Sequence, residues 1–220
     1  MEVPNLDEYI KNWDFENNRI PPEESTLAAR LEILMLRTLA NGNPVSAATL
    51  ANAANVPIEI INTLFEQGMK QGGEWDDDGR LLGNVITLVP TRHHFKVDGK
   101  ELYTWCSLDA MHLPGLLGQT AEVESSDPIS GEVIHLTIPP DGEPTYDPPG
   151  TVLSIVLSGG DRNGPQSPLC SQMHFFASRK TAMTWLKDHP GATIMTVEEA
   201  HQVVRKHVYA PLEKALKELE

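Results

Sequence analysis

The sequence predicts an α+β fold, an N-terminal winged-helix-like helical domain packed on a C-terminal antiparallel-sheet domain with flanking helices. Three observations predict it. Helical apolar spacing fills the segment after the N-terminus, short turn-bounded strands follow, and two capped helical segments close the chain. The 220 residues suffice for one large domain or two small ones.

Residues 1–26 read as an N-terminal tail, in which Trp13 and Phe15 offer packing handles while Asn17-Asn18 and Pro21-Pro22 interrupt regular structure. Ser25 stands ahead of a helix carrying Leu27, Leu31, Leu34 and Met35 on one face, and Asn41-Gly42-Asn43-Pro44 ends it. Ser46 caps a short helix over Ala47–Ala53. Asn55-Val56-Pro57 leads into a third, expected to bury Ile58, Ile61, Leu64 and Phe65. A tight turn before the third helix makes a helix-turn-helix. Glu74–Arg80, with its Asp78-Gly79 turn, and the apolar run Leu81–Val89 read as the wing, which completes a domain over 27–90.

Residues 91–220 form the second domain. His93–Val97 and Glu101–Tyr103 flank Asp98-Gly99-Lys100, and Thr120–Glu124 and Glu132–Ile138 flank a turn at 128–131. Asp141–Gly150 reads as a loop, Val152–Leu157 as a strand, Gly159–Pro168 as a loop and Cys170–Phe176 as a strand. Ser178 caps a helix reaching Asp188, stopped by His189-Pro190-Gly191. Thr193–Met195 is a short strand, and Thr196 and Glu199 have capping-box spacing. The helix they open has Ala200, Val203, Val204 and Val208 inside and is broken by Pro211.

Charge removes several function classes. Thirty-one acids against 17 bases leave −14, so nucleic acid is not an expected partner. The would-be recognition helix, Pro57–Gly68, carries Glu59 and Glu66 and neither lysine nor arginine. Residues 1–95 hold 14 acids and 7 bases, so the helix-turn-helix reads as a packing module. Asp76–Asp78 lacks the spaced ligands of a calcium loop and reads as a turn. No apolar run is long enough to span a membrane, so no membrane partner is expected. The acidic, proline-broken start carries no export signal, and the expected location is cytoplasmic, where thiols stay reduced.

The chain holds two cysteines, Cys106 and Cys170, 64 residues apart in apolar or aromatic, strand-like contexts. Composition alone leaves two readings open: two unrelated buried thiols, or a pair with shared chemistry. A zinc site has little support, since CxxC and HExxH are both missing.

Tyr-Thr-Trp-Cys-Ser-Leu-Asp-Ala at 103–110, followed by Leu113-Pro114-Gly-Leu-Leu-Gly118-Gln-Thr-Ala121, resembles the core motif of the organomercurial (alkylmercury) lyases. Cys170-Ser-Gln-Met-His-Phe-Phe-Ala-Ser178 resembles the segment around the family's second cysteine. The likeness covers roughly residues 27–210. It implies cleavage of carbon–mercury bonds in mercury detoxification, with Cys106, Cys170 and Asp109 as the catalytic set and as holders of the Hg(II) product. It also implies no resident cofactor, an external thiol such as glutathione or cysteine, and transfer of Hg(II) to small thiols or a mercuric reductase. Two positions where some members carry further cysteines are Asp127 and Ser171 here. Neither belongs to the implied catalytic set.

The chemistry accounts for these residue types. Mercury is soft and prefers thiolate to oxygen or nitrogen donors. One thiolate captures R–Hg⁺, and a second raises electron density on the metal and pushes carbon toward carbanion character. That carbon needs a proton at once, and a carboxylic acid within reach delivers it. Burial of Asp109 beside Trp105 and Leu108 is expected to raise its pKa and favour the neutral acid. Trp105, Tyr103, Leu113 and Phe175 either line an apolar pocket for the organic group or form ordinary core. His112 and His174 are taken as structural. The two cysteines are expected on adjacent strands or loops, with Asp109 facing the same cavity. Two other classes stay open, a soft-metal binding or sensing protein with a helix-turn-helix and an interaction protein with inert thiols. Turnover of an organomercurial separates the first reading from both.

Overall fold

The structure is a computed structural model that describes residues 22–70, 72–156 and 169–206, with Leu212, Leu216, Lys217 and Leu219 near the end. Trp13, Phe15, the 159–168 loop, Val208 and Pro211 lie outside the described residues.

Three helices come first: α1 (Pro22–Leu39), α2 (Ala47–Ala54) and α3 (Ile58–Lys70). The first starts earlier than the tail assignment of 1–26 allows, because proline at a first helical position gives up no intrahelical N–H. Ser46 caps α2 by accepting from Thr49 N–H, as its position predicts. On α3, Ile61 and Phe65 are buried, but Ile58 and Leu64 are about 40% exposed, contrary to expectation. The helix meets its neighbours along one narrow line, where Phe65 packs edge-on against Trp75 at 4.8 Å.

β1 (Glu74–Trp75) and β2 (Leu81–Asn84) pair across the Asp76–Arg80 turn, and β3 (Ile86–Thr87) follows. The apolar run Leu81–Val89 thus holds two strands, folded back on each other at Val85, whose φ of 70° reverses the chain. β4 (His93–Val97) and β5 (Lys100–Thr104) form the next hairpin. β6 (Ala121–Ser126), β7 (Val133–Ile138) and β8 (Thr145–Asp147) continue the sheet. β8 lies inside the predicted loop 141–150, as a short edge strand on β7. The order of this eight-stranded antiparallel sheet is β1-β2-β3-β5-β4-β6-β7-β8. Because β3 pairs with β5, the sheet runs through residue 90, and one apolar core extends from α1 to the last helix.

A second, three-stranded antiparallel sheet places β9 (Val152–Val156) between β10 (Phe175–Phe176) and β11 (Ala192–Thr196). α5 (Arg179–Trp185) starts on Ser178, and α6 (Val197–Val204) starts on the capping box of Thr196 and Glu199. The predicted strand over Cys170–Phe176 shrinks to β10, preceded by a 3₁₀ turn at Cys170–Gln172.

One helix is missing from the sequence reading. α4 (Ser107–Leu117) is buried almost all round, between α1 and α6 on one side and β4 and β5 on the other. A helix covered on every face carries no alternation of apolar and polar residues, so its period is invisible. Arg37 from α1 donates to the Leu116 carbonyl at 3.2 Å, a cation at the C-terminal end of α4. The architecture is therefore mixed α and β with a large antiparallel sheet. No helix among the described residues is long and apolar enough to cross a membrane.

Candidate active site

The N-terminus of α4 is where the site is built. Cys106 is its N-cap, in extended backbone, and Asp109 is the third helical residue. The two close a capping box: the Asp109 N–H points to the Cys106 sulfur, and Asp109 Oδ2 accepts from Cys106 N–H at 3.1 Å. This is the reciprocal arrangement usual for serine with glutamate, made here from a thiol and a shorter acid.

Neighbouring strands hold the first cysteine in place. Thr104 Oγ1 donates to the Cys106 carbonyl at 3.0 Å, and Trp105 N–H donates to Val85 O at 3.1 Å. The Trp105 indole N–H donates to Glu74 Oε2 at 2.8 Å, and Thr87 Oγ1 donates to the same oxygen. Gly83 lies against this group, where a Cβ would come within 2.2 Å of Glu74 Oε2. Glu74 is a residue the sequence reading missed. Only its place at the start of the wing segment, ahead of the Asp78-Gly79 turn, hinted at a partner.

Cys170 comes from the other sheet. Its carbonyl accepts from Met173 N–H at 3.2 Å, closing the 3₁₀ turn. Ser154 of β9 grips the segment, donating to Gln172 O at 2.7 Å and accepting from His174 N–H at 3.0 Å. Met173 O in turn accepts from Ser107 N–H at 3.2 Å, joining the Cys170 turn directly to the start of α4.

Cys106, Asp109 and Cys170 therefore converge, with one potential ligand atom of each within 4.8 Å of the others. Neither cysteine is in a disulfide, and all three residues are buried. Cys106 sits in the bend between β5 and α4, a loop position as expected, whereas Cys170 opens a 3₁₀ turn in place of a strand or loop. Burial pushes the Asp109 pKa well above the usual carboxylate range, and the nearby Cys170 adds to this against hydrogen bonds from Cys106 that lower it. Burial likewise raises Cys106, assisted by its contact with Cys170 and the charge of Asp109. The helix N-terminus pulls the other way but is outweighed. Both Cys106 and Asp109 are thus shifted toward their uncharged, proton-bearing forms.

The remaining predicted residues lie as follows. Trp105 is buried and tied to Glu74. Leu113 and Phe175 are fully buried in the core, Phe175 against the His93 ring at 5.8 Å. Tyr103 packs on His94 at 5.4 Å. His112 Nδ1 lies 3.1 Å from Leu108 O and 4.0 Å from Asp109, and burial lowers its pKa to about 4. Burial, with Arg92 nearby, also lowers His174 to about 4, so both rings are neutral. The sequence reading also passed over Met173, whose sulfur lies 3.9 Å from Cys106 Sγ. Its place inside the second cysteine motif was the available signal.

Comparison with known proteins agrees with this geometry. A family model described as alkylmercury lyase matches residues 86–208. The alkylmercury lyase of Bacillus cereus is 36% identical over 171 residues, 78% of this chain and 77% of that protein. The Streptomyces lividans alkylmercury lyase is 37% identical over 183 residues, 83% of this chain and 81% of that protein. A solved structure of the mercury-bound form of MerB2 superposes with a TM-score of 0.73 at 22% identity. It covers 96% of this chain and 99% of that one, a likeness of fold.

Proposed function

This chain belongs to the alkylmercury lyase family, and from that membership we propose how its own residues cleave the carbon–mercury bond of organomercurials. The observation that carries the proposal is the convergence of two buried thiols and a buried carboxyl at one point. Cys106 and Cys170 displace the solution thiol from R–Hg–SR′ and share the metal. Their combined donation weakens the bond to carbon. Asp109 hands a proton to the leaving carbon and is replenished from a cysteine thiol. The balance closes: two cysteine protons leave, one on R′SH and one on R–H, and Hg(II) remains on two thiolates.

A neutral Asp109 suits this role, because a general acid must hold its proton when the carbanion-like carbon appears. The soft pair suits mercury over harder ions. We read Cys106, Cys170 and Asp109 as the groups on the Hg(II) product as well. Trp105, Tyr103, Leu113 and Phe175 are our candidates for contact with the organic group. No resident cofactor enters the scheme; an external thiol such as glutathione or cysteine presents the substrate. Hg(II) then passes to small thiols or a mercuric reductase, in cytoplasmic mercury detoxification and resistance.

We further read residues 27–90 as a winged-helix-like module and 91–220 as the catalytic unit. The module serves packing, not DNA. Support comes from the bonds Glu74 and Val85 make to Trp105 and from the absence of lysine and arginine in Pro57–Gly68. Family membership favours turnover over a soft-metal sensor. Incubation with phenylmercury acetate and excess thiol, followed by gas chromatography, tests the proposal: benzene is expected, and folded protein that binds mercury without releasing benzene overturns it.

A further inference from the structure

We propose that Met173 is a third soft donor to mercury in this site, a thioether contact alongside the two thiolates. The inference rests on the carbon–mercury lyase reading above. Its basis is position. Met173 Sδ lies 3.9 Å from Cys106 Sγ, and the residue is fully buried. Two sulfurs sharing one metal lie at most about 4.6 Å apart, taking about 2.3 Å for each metal–sulfur bond as in thiolate zinc sites. The observed separation fits within that span.

Met173 is also held from both sides of the site. Its N–H donates to Cys170 O and its carbonyl accepts from Ser107 N–H, each at 3.2 Å. The backbone that carries the thioether is therefore fixed relative to both cysteines. A flexible side chain on a fixed backbone lets the sulfur follow the metal from capture to product.

The chemistry adds something the thiols cannot. A thioether is soft, like a thiolate, and binds the same class of ion. It carries no proton, so it donates without entering the proton balance and without needing to ionise in a buried site. As a third donor it adds electron density to mercury while the bond to carbon breaks, and it retains Hg(II) until an outside thiol removes it. No oxidation is involved, only a coordination contact.

The test uses full-length protein labelled with selenomethionine, loaded with stoichiometric Hg(II), and mercury-edge X-ray absorption. Two cysteine sulfurs plus one selenium neighbour are expected on mercury, and the selenium neighbour should vanish in Met173→Leu. Two sulfurs without selenium overturn the proposal while leaving the lyase reading intact. Mercury lacking cysteine sulfurs would instead contradict that reading. Leucine nearly conserves volume, so the variant should fold. Competition with a dithiol should then show Hg(II) retention weakened by a factor on the order of ten, within the range for loss of a supporting group at a metal site. Unchanged retention in folded Met173→Leu also counts against the third donor.

Discussion

The start of α4 and the turn between β6 and β7 each bury an aspartate, and the two are treated in opposite ways. Asp109 is 9% exposed and Asp127 2%. Burial alone raises a carboxyl pKa in both places. At Asp127 it is overcome: Oδ1 accepts from Ile129 N–H at 2.8 Å and Ser130 N–H at 3.1 Å. Oδ2 accepts from Ala177 N–H at 2.8 Å and from Thr181 Oγ1 at 2.6 Å. Burial remains the largest single influence there, yet these four donors together hold the pKa below the ordinary value. At Asp109 the donors come from Cys106, and burial with Cys170 nearby wins. Exposure thus says little about protonation. The supply of donors decides which buried acid keeps its proton for chemistry and which becomes a charged staple, here tying the β6–β7 turn to the start of α5.

The largest expected effect follows from removing the proton carrier. Asp109→Asn should still capture phenylmercury, with both thiols in place, but benzene release should fall by about 10²–10⁴, the usual cost of losing a general acid. Cys106→Ser and Cys170→Ser should fail differently, losing capture and cleavage together, as dialysis-resistant mercury and gas chromatography would reveal. Near wild-type turnover by folded Asp109→Asn would pass the donor role to another group, such as His112 or water.

Asp127→Asn should leave the reaction nearly intact and cost stability. The new amide NH₂ must face either the Ala177 and Thr181 donors or the turn N–H groups. An unsatisfied buried group of this kind costs about 1–3 kcal/mol, readable from urea unfolding. A stability loss in Asp109→Asn as large as that in Asp127→Asn would break the comparison.

The pH dependence of stability should separate the two acids in sign. Asp127 has a lowered folded pKa, so its contribution is present above the unfolded value near 3.8 and is lost as pH falls through the folded one. Asp109 has a raised folded pKa, so the unfolded chain releases its proton first and stability falls as pH rises above about 3.8. Relative to wild type, Asp109→Asn should gain stability as pH rises above about 3.8, while Asp127→Asn should lose its disadvantage in acid. Urea midpoints across that range would decide. The smallest effect is expected for Thr181→Val, which removes one of the four donors and should cost about 0.5–1.5 kcal/mol.

Much of the site was legible in the sequence because two local motifs carry it. Composition left the two cysteines open, and the resemblance of the Trp-Cys-Ser-Leu-Asp and Cys-Ser-Gln-Met-His segments to the organomercurial lyases brought Cys106, Asp109 and Cys170 into one reading. The hairpins around Asp98-Gly99 and the caps at Ser46, Ser178 and Thr196 were legible for the same local reason. What escaped was set by tertiary surroundings. α4 lacks a polar face, the chain reverses at Val85 against the preference of a β-branched residue, and Cys170 starts a 3₁₀ turn inside an aromatic, strand-like run. Asp127 reads as a turn residue, and its bonds to Ala177 and Thr181 depend on packing 50 residues away.

Infrared difference spectroscopy at neutral pH tests the central claim most directly, comparing wild type with Asp109→Asn and Asp127→Asn. The account predicts that Asp109→Asn removes the carbonyl band of a neutral carboxylic acid, whereas Asp127→Asn removes only carboxylate bands. Loss of a carboxylate band from Asp109→Asn, with no neutral-acid band lost, would contradict it.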